Sequence, residues 1–329
     1  MSSYITQNTL QNEVSCESVG VHSGAMTTLT LKPAAENSGI VFVRTDVTDK
    51  NNVIPARWDL VTETQLCTVL TNEDGVQIST VEHVLSALWG CGIDNAIIEV
   101  SGYEIPIMDG SAIEFIEMIK KAGICPQEAR RQFLMVKSAV SVDIDGKTAS
   151  LRPSATQSFH FEIEFDSKAI GHQRHDFFFT ELAYQETISK ARTFGFLHEV
   201  EALRSMGLAR GGSLDNAIVI DGDDILNAGG LRYDNEFVRH KILDALGDLL
   251  LAGGQIIGHY DGIKAGHHMN NQVLRKLFDT DGAWEFVELT EDQYRAMTST
   301  SRTMGDFEKT GTFVVMGQPN LEQVAANAR

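Results

Sequence analysis

The feature that most constrains the fold is a strand-first pattern that gives way to helices, stops, and begins again at Phe133. MTTLTLKP from Met26 and GIVFVRT from Gly39 alternate apolar and polar residues and are rich in β-branched side chains, as half-buried strands are. The period then changes. Val81, Val84, Leu85 and Leu88 fall at i, i+3, i+4 and i+7, so a helix opens there, with Ser79 or Thr80 expected as its cap and Glu82 in its first turn. Residues 95–100 read as a strand, IPIMDGS from Ile105 as a turn, and 112–122 as a helix closed by Gly123.

After Phe133 the theme returns. Strands are expected near 133–143, 147–152 and 158–165, helices near 181–190 and over 197–206, a strand at 217–221 and a long helix over 235–252. Asp94-Asn95-Ala96-Ile97 and Asp215-Asn216-Ala217-Ile218 match across the two halves, which points to duplication. A chain of 329 residues also suits roughly two domains. The expectation is an α+β fold with domains at 1–128 and 133–297. Segment 124–132, with Cys125-Pro126 and three charges, would be the linker, and 298–329, rich in Thr, Ser, Asn and Gln, a flexible tail.

Charge narrows the function. With 27 Lys+Arg against 45 Asp+Glu the net charge is −18, a field that repels phosphate backbones, so general nucleic-acid binding is not expected. An anionic ligand would need cations placed locally. Four cysteines at 16, 67, 91 and 125 have no close metal-ligand spacing and suit a reduced cytoplasmic setting. The N-terminus lacks a basic and apolar leader, and no run reaches a membrane span, since Asp248 breaks the richest stretch. A soluble protein is expected.

The long helix carries the most informative pair. His240 and Asp244 are i, i+4 neighbours on one face, as two ligands of one metal must be, although a plain His/Asp hydrogen bond at a domain surface fits the same spacing. Glu82-His83 adds a second acid and imidazole, which on a helix point about 100° apart, so one could bind a metal while the other faces its water. Read alone, Glu82 could equally be a capping residue and His83 a core histidine. Gly266-His267-His268 places imidazoles just before a helix, where an N-terminal cap region is the alternative.

Five ordered segments then carry a resemblance: Ser79-Thr80-Val81-Glu82-His83, the run from Ile105 to Ala112, Ala191-Arg192-Thr193-Phe194-Gly195-Phe196, the run from Phe237 to Asp244, and Gly266-His267 with Asn270-Asn271. Together they resemble the UDP-3-O-acyl-N-acetylglucosamine deacetylase family, zinc enzymes that commit a sugar nucleotide to lipid A synthesis. The likeness runs from Gly20-Val21-His22-Ser23-Gly24 to about Trp284. It implies two α+β domains of similar layered topology, each with a small insert, and an active site between them. It further implies one Zn2+ per chain on His83, His240 and Asp244, Glu82 as general base, His267 as general acid oriented by Asp248, and Thr193 at the oxyanion.

Lys241 would meet the substrate's diphosphate, pointing away from the metal sphere. Segment 194–222 would hold the insert, and Phe194, Phe196, Leu203 and Met206 would line an acyl passage within it, ordinary core being the alternative. Lys147, Glu164 and Phe165 resemble nucleotide contacts. The implied ligand is a UDP-linked acylated aminosugar, with the protein a cytoplasmic monomer; a zinc amidohydrolase with another acylated or nucleotide-linked substrate is the rival. His268, Met269 and the sequence beyond Trp284 depart from the family pattern.

Overall fold

In the computed structural model, which describes residues 3–299 and the strand Val314–Val315, the change of period after Ser79 becomes α1 (Glu82–Gly90), a helix buried at every residue. Val84, Leu85, Leu88 and Trp89 are sealed from water, each contributing about 1.5–3 kcal/mol of burial. The other helices are α2 (Ile113–Ala122), α3 (Glu181–Thr187), α4 (Leu197–Ser205), α5 (Glu236–Leu250), α6 (His267–Phe278) and α7 (Glu291–Thr298). Among the described residues, no helix is long and apolar enough to cross a membrane.

The two halves share one chain order. In the first, a five-stranded sheet has Ala96–Val100 at its centre, antiparallel to Met26–Pro33 and parallel to Ile40–Arg44. In the second, Ile256–Ile263 holds the equivalent place, antiparallel to Lys147–Arg152 and parallel to Gln157–Glu164. Each half also carries a three-stranded insert. Val61–Glu63, Val69–Thr71 and Gln77–Ser79 precede α1; Phe194–Phe196, Ile218–Asp221 and Asp224–Ile225 precede α5. Sheet, insert, helix, central strand and helix thus occur twice in an α+β fold. One apolar core runs through both halves, with Trp89 of α1 edge-on to Phe159 and Phe179.

Several expectations are corrected. The matched tetrapeptides do not mark equivalent strands: the first enters the main sheet of its half, the second the insert of its own, and the true counterpart of Ala96–Val100 is Ile256–Ile263. That strand and His172–Phe178 escape the sequence reading. Gly258 and Gly262 interrupt the apolar pattern of the first because Cβ atoms there would crowd Val136 and the Tyr260 and Phe161 rings. The second presents mainly polar, partly exposed side chains. The expected linker is itself a strand, Ile124–Arg130, paired antiparallel with Thr6–Leu10, and Pro126 is tolerated in this two-stranded ribbon. The expected strand over 133–143 is two, Gln132–Val136 and Val140–Ile144, broken where the Lys137 and Ser138 amides turn to the Ala283 carbonyl. Of the expected tail, everything beyond 299 except Val314–Val315 lies outside the described residues.

Candidate active site

The site forms where α1 meets α5. Gly247 makes the approach possible, since a Cβ there would collide with the Glu82 carbonyl. His240, Asp244 and Asp248 form one stripe of α5 at i, i+4 and i+8, and the first turn of α1 sets Glu82 and His83 against it. The expected helix cap is absent. Val81 occupies the N-cap with no side-chain bond, Thr80 (φ 61°) donates its hydroxyl to buried Glu104, and the Glu82 carboxylate turns to the site.

His83, His240 and Asp244 place their ligand-type atoms within 4.8 Å of one another, all buried. Asp244 Oδ1 lies 3.3 Å from His240 Nε2 and 3.5 Å from His83 Nε2, yet accepts no hydrogen bond among the described residues. His240 Nδ1 lies 3.0 Å from the Ala191 carbonyl, which only an N–H can satisfy, so Nε2 carries the lone pair. Burial drives the His240 pKa down to about 3 against the pull of Asp244, keeping the ring neutral. Burial alone would raise Asp244, but in the acid range where it titrates His240 is protonated, and that charge together with Lys241 holds it well below the usual carboxylate range. Lys241 departs from expectation: its Nζ donates to Asp244 Oδ2 at 2.8 Å, within the group it was to avoid, because i and i+3 share a helix face.

A second group adjoins the first: Glu82, Asp248 and His267. His267 Nδ1 lies 2.8 Å from Asp248 Oδ2, and its Nε2 faces Glu82 Oε1 at 4.0 Å. Burial opposes protonation of His267, but Asp248 and Glu82 outweigh it and raise the pKa to about 9. Burial raises Glu82 too, partly offset by His267 and His83. The Asn270 amide also donates to Asp248 Oδ2, at 2.8 Å.

Around these clusters the other named residues divide. Thr193 is fixed by its amide on the Gly110 carbonyl and its carbonyl on the Ile218 amide, which joins the IPIMDGS turn to the Ala191–Phe196 segment. The Phe194 ring lies 6.4 Å from the His240 ring, and Phe165, expected beside a nucleotide, packs on Phe194 and Phe196 at 5.7 and 5.9 Å. α4 contributes no buried residue: Leu203 is half-buried and Met206 is 61% exposed, so neither is core. Lys147 is exposed at a strand end, and Glu164 pairs with Lys264 at 2.6 Å.

Three further residues border these clusters. His22, within the Gly20–Gly24 run, feels the charge of His267 and leaves a buried Nδ1 unpartnered among the described residues, while its loop is pinned by Glu104 and by the Arg210 amide. Asn270 follows His267 by one helical turn, a spacing visible in the sequence. Thr68 carries no sequence signal at all.

The family model for UDP-3-O-acyl N-acetylglycosamine deacetylase matches residues 7–279. A UDP-3-O-acyl-N-acetylglucosamine deacetylase from Phenylobacterium zucineum is 49% identical over 88% of this chain and 99% of its own length. Proteins of the same name from Idiomarina loihiensis and Chromohalobacter salexigens are 49% and 46% identical, over 89% and 90% of this chain and 96% and 97% of their own. Likeness of this extent, spanning both halves and every helix that supplies the two clusters, means that the chain belongs to the UDP-3-O-acyl N-acetylglycosamine deacetylase family.

Proposed function

We propose that the chain hydrolyses the N-acetyl group of UDP-3-O-acyl-N-acetylglucosamine, releasing acetate and leaving the free amine, the committed step of lipid A synthesis. The observation that carries this reading is the juxtaposition of a two-imidazole, one-carboxylate group with an independent acid–base group. The first fits zinc: Asp244 Oδ1 is buried without a hydrogen-bond partner among the described residues, and His240 presents a neutral Nε2 beside it. One Zn2+ per chain would be held by His83, His240 and Asp244. Bound there, zinc supplies Lewis acidity toward the acetyl carbonyl and eases ionisation of a water.

The chain's own residues do the rest. Glu82, as a carboxylate facing His267, takes the proton of the attacking water. His267, protonated below about pH 9, gives a proton to the departing nitrogen, with Asp248 holding its ring. The Thr193 hydroxyl stabilises the developing oxyanion. Lys241 supplies the local cation that a −18 protein needs to hold a diphosphate, and Lys147 and Glu164 take the nucleotide. Phe194, Phe196, Leu203 and Met206 line a passage for the acyl chain, and Phe165, packed on the first two, contacts the nucleotide beside it. All these groups come from one chain, which we take to act as a cytoplasmic monomer with domains at 1–128 and 133–297.

Incubating the purified protein with this substrate and following acetate, with and without chelator, tests the reading. Metal-dependent acetate release is expected. Turnover undiminished by removal of the acyl chain would favour a different amide substrate.

A further inference from the structure

Thr68 touches both carboxylates of the acid–base group. Its backbone N–H donates to Glu82 Oε2 at 3.1 Å, and its hydroxyl donates to Asp248 Oδ1 at 2.6 Å. The residue is 1% exposed, immediately ahead of the insert strand Val69–Thr71, and its carbonyl accepts from the Thr80 amide just before α1. It is therefore fixed from both sides of the chain.

Asp248 shows why the hydroxyl matters. Its Oδ2 is shared between His267 and Asn270, and among the described residues the Thr68 hydroxyl is the one hydrogen bond to Oδ1. A buried carboxylate oxygen stripped of its donor is costly, and the group relieves that by rotating. Rotation would carry Oδ2 away from His267. The other charged or titratable groups around His267 are Glu82 from α1, Asp244 from α5 and His22 from its loop, and none of them bonds its Nδ1.

We propose that Thr68 is a positioning residue for the acid–base pair: one amide and one hydroxyl, three bonds apart within a single residue, hold Glu82 and the Asp248–His267 unit in fixed mutual geometry. This rests on the reading of Glu82 as base and His267 as acid. A misalignment of 1 Å between such groups is enough for a large loss of rate, so the effect belongs in kcat rather than in substrate or metal binding.

The test compares Thr68→Val, which keeps the shape and loses the hydroxyl, with Thr68→Ser, which keeps the hydroxyl, in the wild-type and Asp248→Ala backgrounds. Metal content and thermal midpoint are measured for each. Thr68→Val is expected to lower kcat about 10- to 100-fold with KM and metal content unchanged. Thr68→Ser should retain most of the rate, and Thr68→Val should add little in the Asp248→Ala background. Wild-type kcat in Thr68→Val, equal losses in Val and Ser, or the same loss with Asp248 already removed would each overturn the proposal. Failure of the underlying acid–base reading is seen separately, as near-normal turnover in Asp248→Ala and His267→Gln with Thr68 intact, and it would remove this proposal as well.

Discussion

The two three-stranded inserts hold the same place in the chain order, each ahead of a helix that carries site residues, yet they meet the core in opposite ways. In the first, Val61, Val69, Leu70 and Ile78 are buried and Thr68 bonds two site carboxylates. In the second, Ile218 and Ile220 are buried, but α4 buries nothing, and Leu197 at its start and Met206 just past its end are 41% and 61% exposed. The first insert is scaffold for the chemistry. The second holds apolar surface in water at about 25 cal/mol per Å², a cost that an apolar ligand would remove.

The largest expected effect lies on the scaffold side. Glu82→Gln should keep its metal and lose about 10²- to 10⁴-fold in kcat, read as acetate release alongside metal analysis. Near-wild-type turnover would detach the first insert from the chemistry. Next, Leu70→Ala should cost about 2–5 kcal/mol in denaturant unfolding, whereas Leu203→Ala on α4 should stay within about 1 kcal/mol. Equal losses would erase the contrast between the inserts.

A smaller effect separates ligands rather than folds. Bulk introduced by Met206→Trp should raise KM for long-chain substrates roughly 10-fold more than for short-chain ones, because each CH₂ kept from burial forfeits about 0.8 kcal/mol. An equal penalty for both would mean that the acyl chain lies elsewhere. The smallest effect is in pH. His267 is lifted from its ordinary 6.5 to about 9, so the stability its protonation contributes is full below pH 6.5 and is lost as pH rises through about 9, where the general acid is lost as well. A bound cation nearby would draw this limb to lower pH. Activity should decline on the alkaline side, and His267→Gln should flatten that limb; an unchanged limb would assign it to another group.

Much of the site was legible because its spacing is local. His240 and Asp244 share a face at i, i+4, and Asp248 extends the stripe, whatever packs against it. Lys241 shows how far that reasoning reaches: the turn per residue is correct, but whether the ammonium points to solvent or bonds Asp244 depends on rotamers and neighbours. The matched tetrapeptides mislead for a similar reason, since Asp-Asn suits the start of many strands and carries no information about which sheet the strand joins.

The sequence by itself determined the α+β order of two similar halves, the helical stripe on α5, and membership of a deacetylase family through five ordered motifs. Only the tertiary structure decided that Gly247 lets α1 lie against that stripe, that the 124–130 segment pairs with the N-terminal strand, and that Thr68 and His22 stand beside the catalytic candidates. Periodicity encodes which side of an element is apolar, a property of neighbours within a turn or two. Which elements then meet is settled by burying those faces together while every enclosed carboxylate and amide finds a partner, and that condition joins residues as far apart as Thr68 and Asp248.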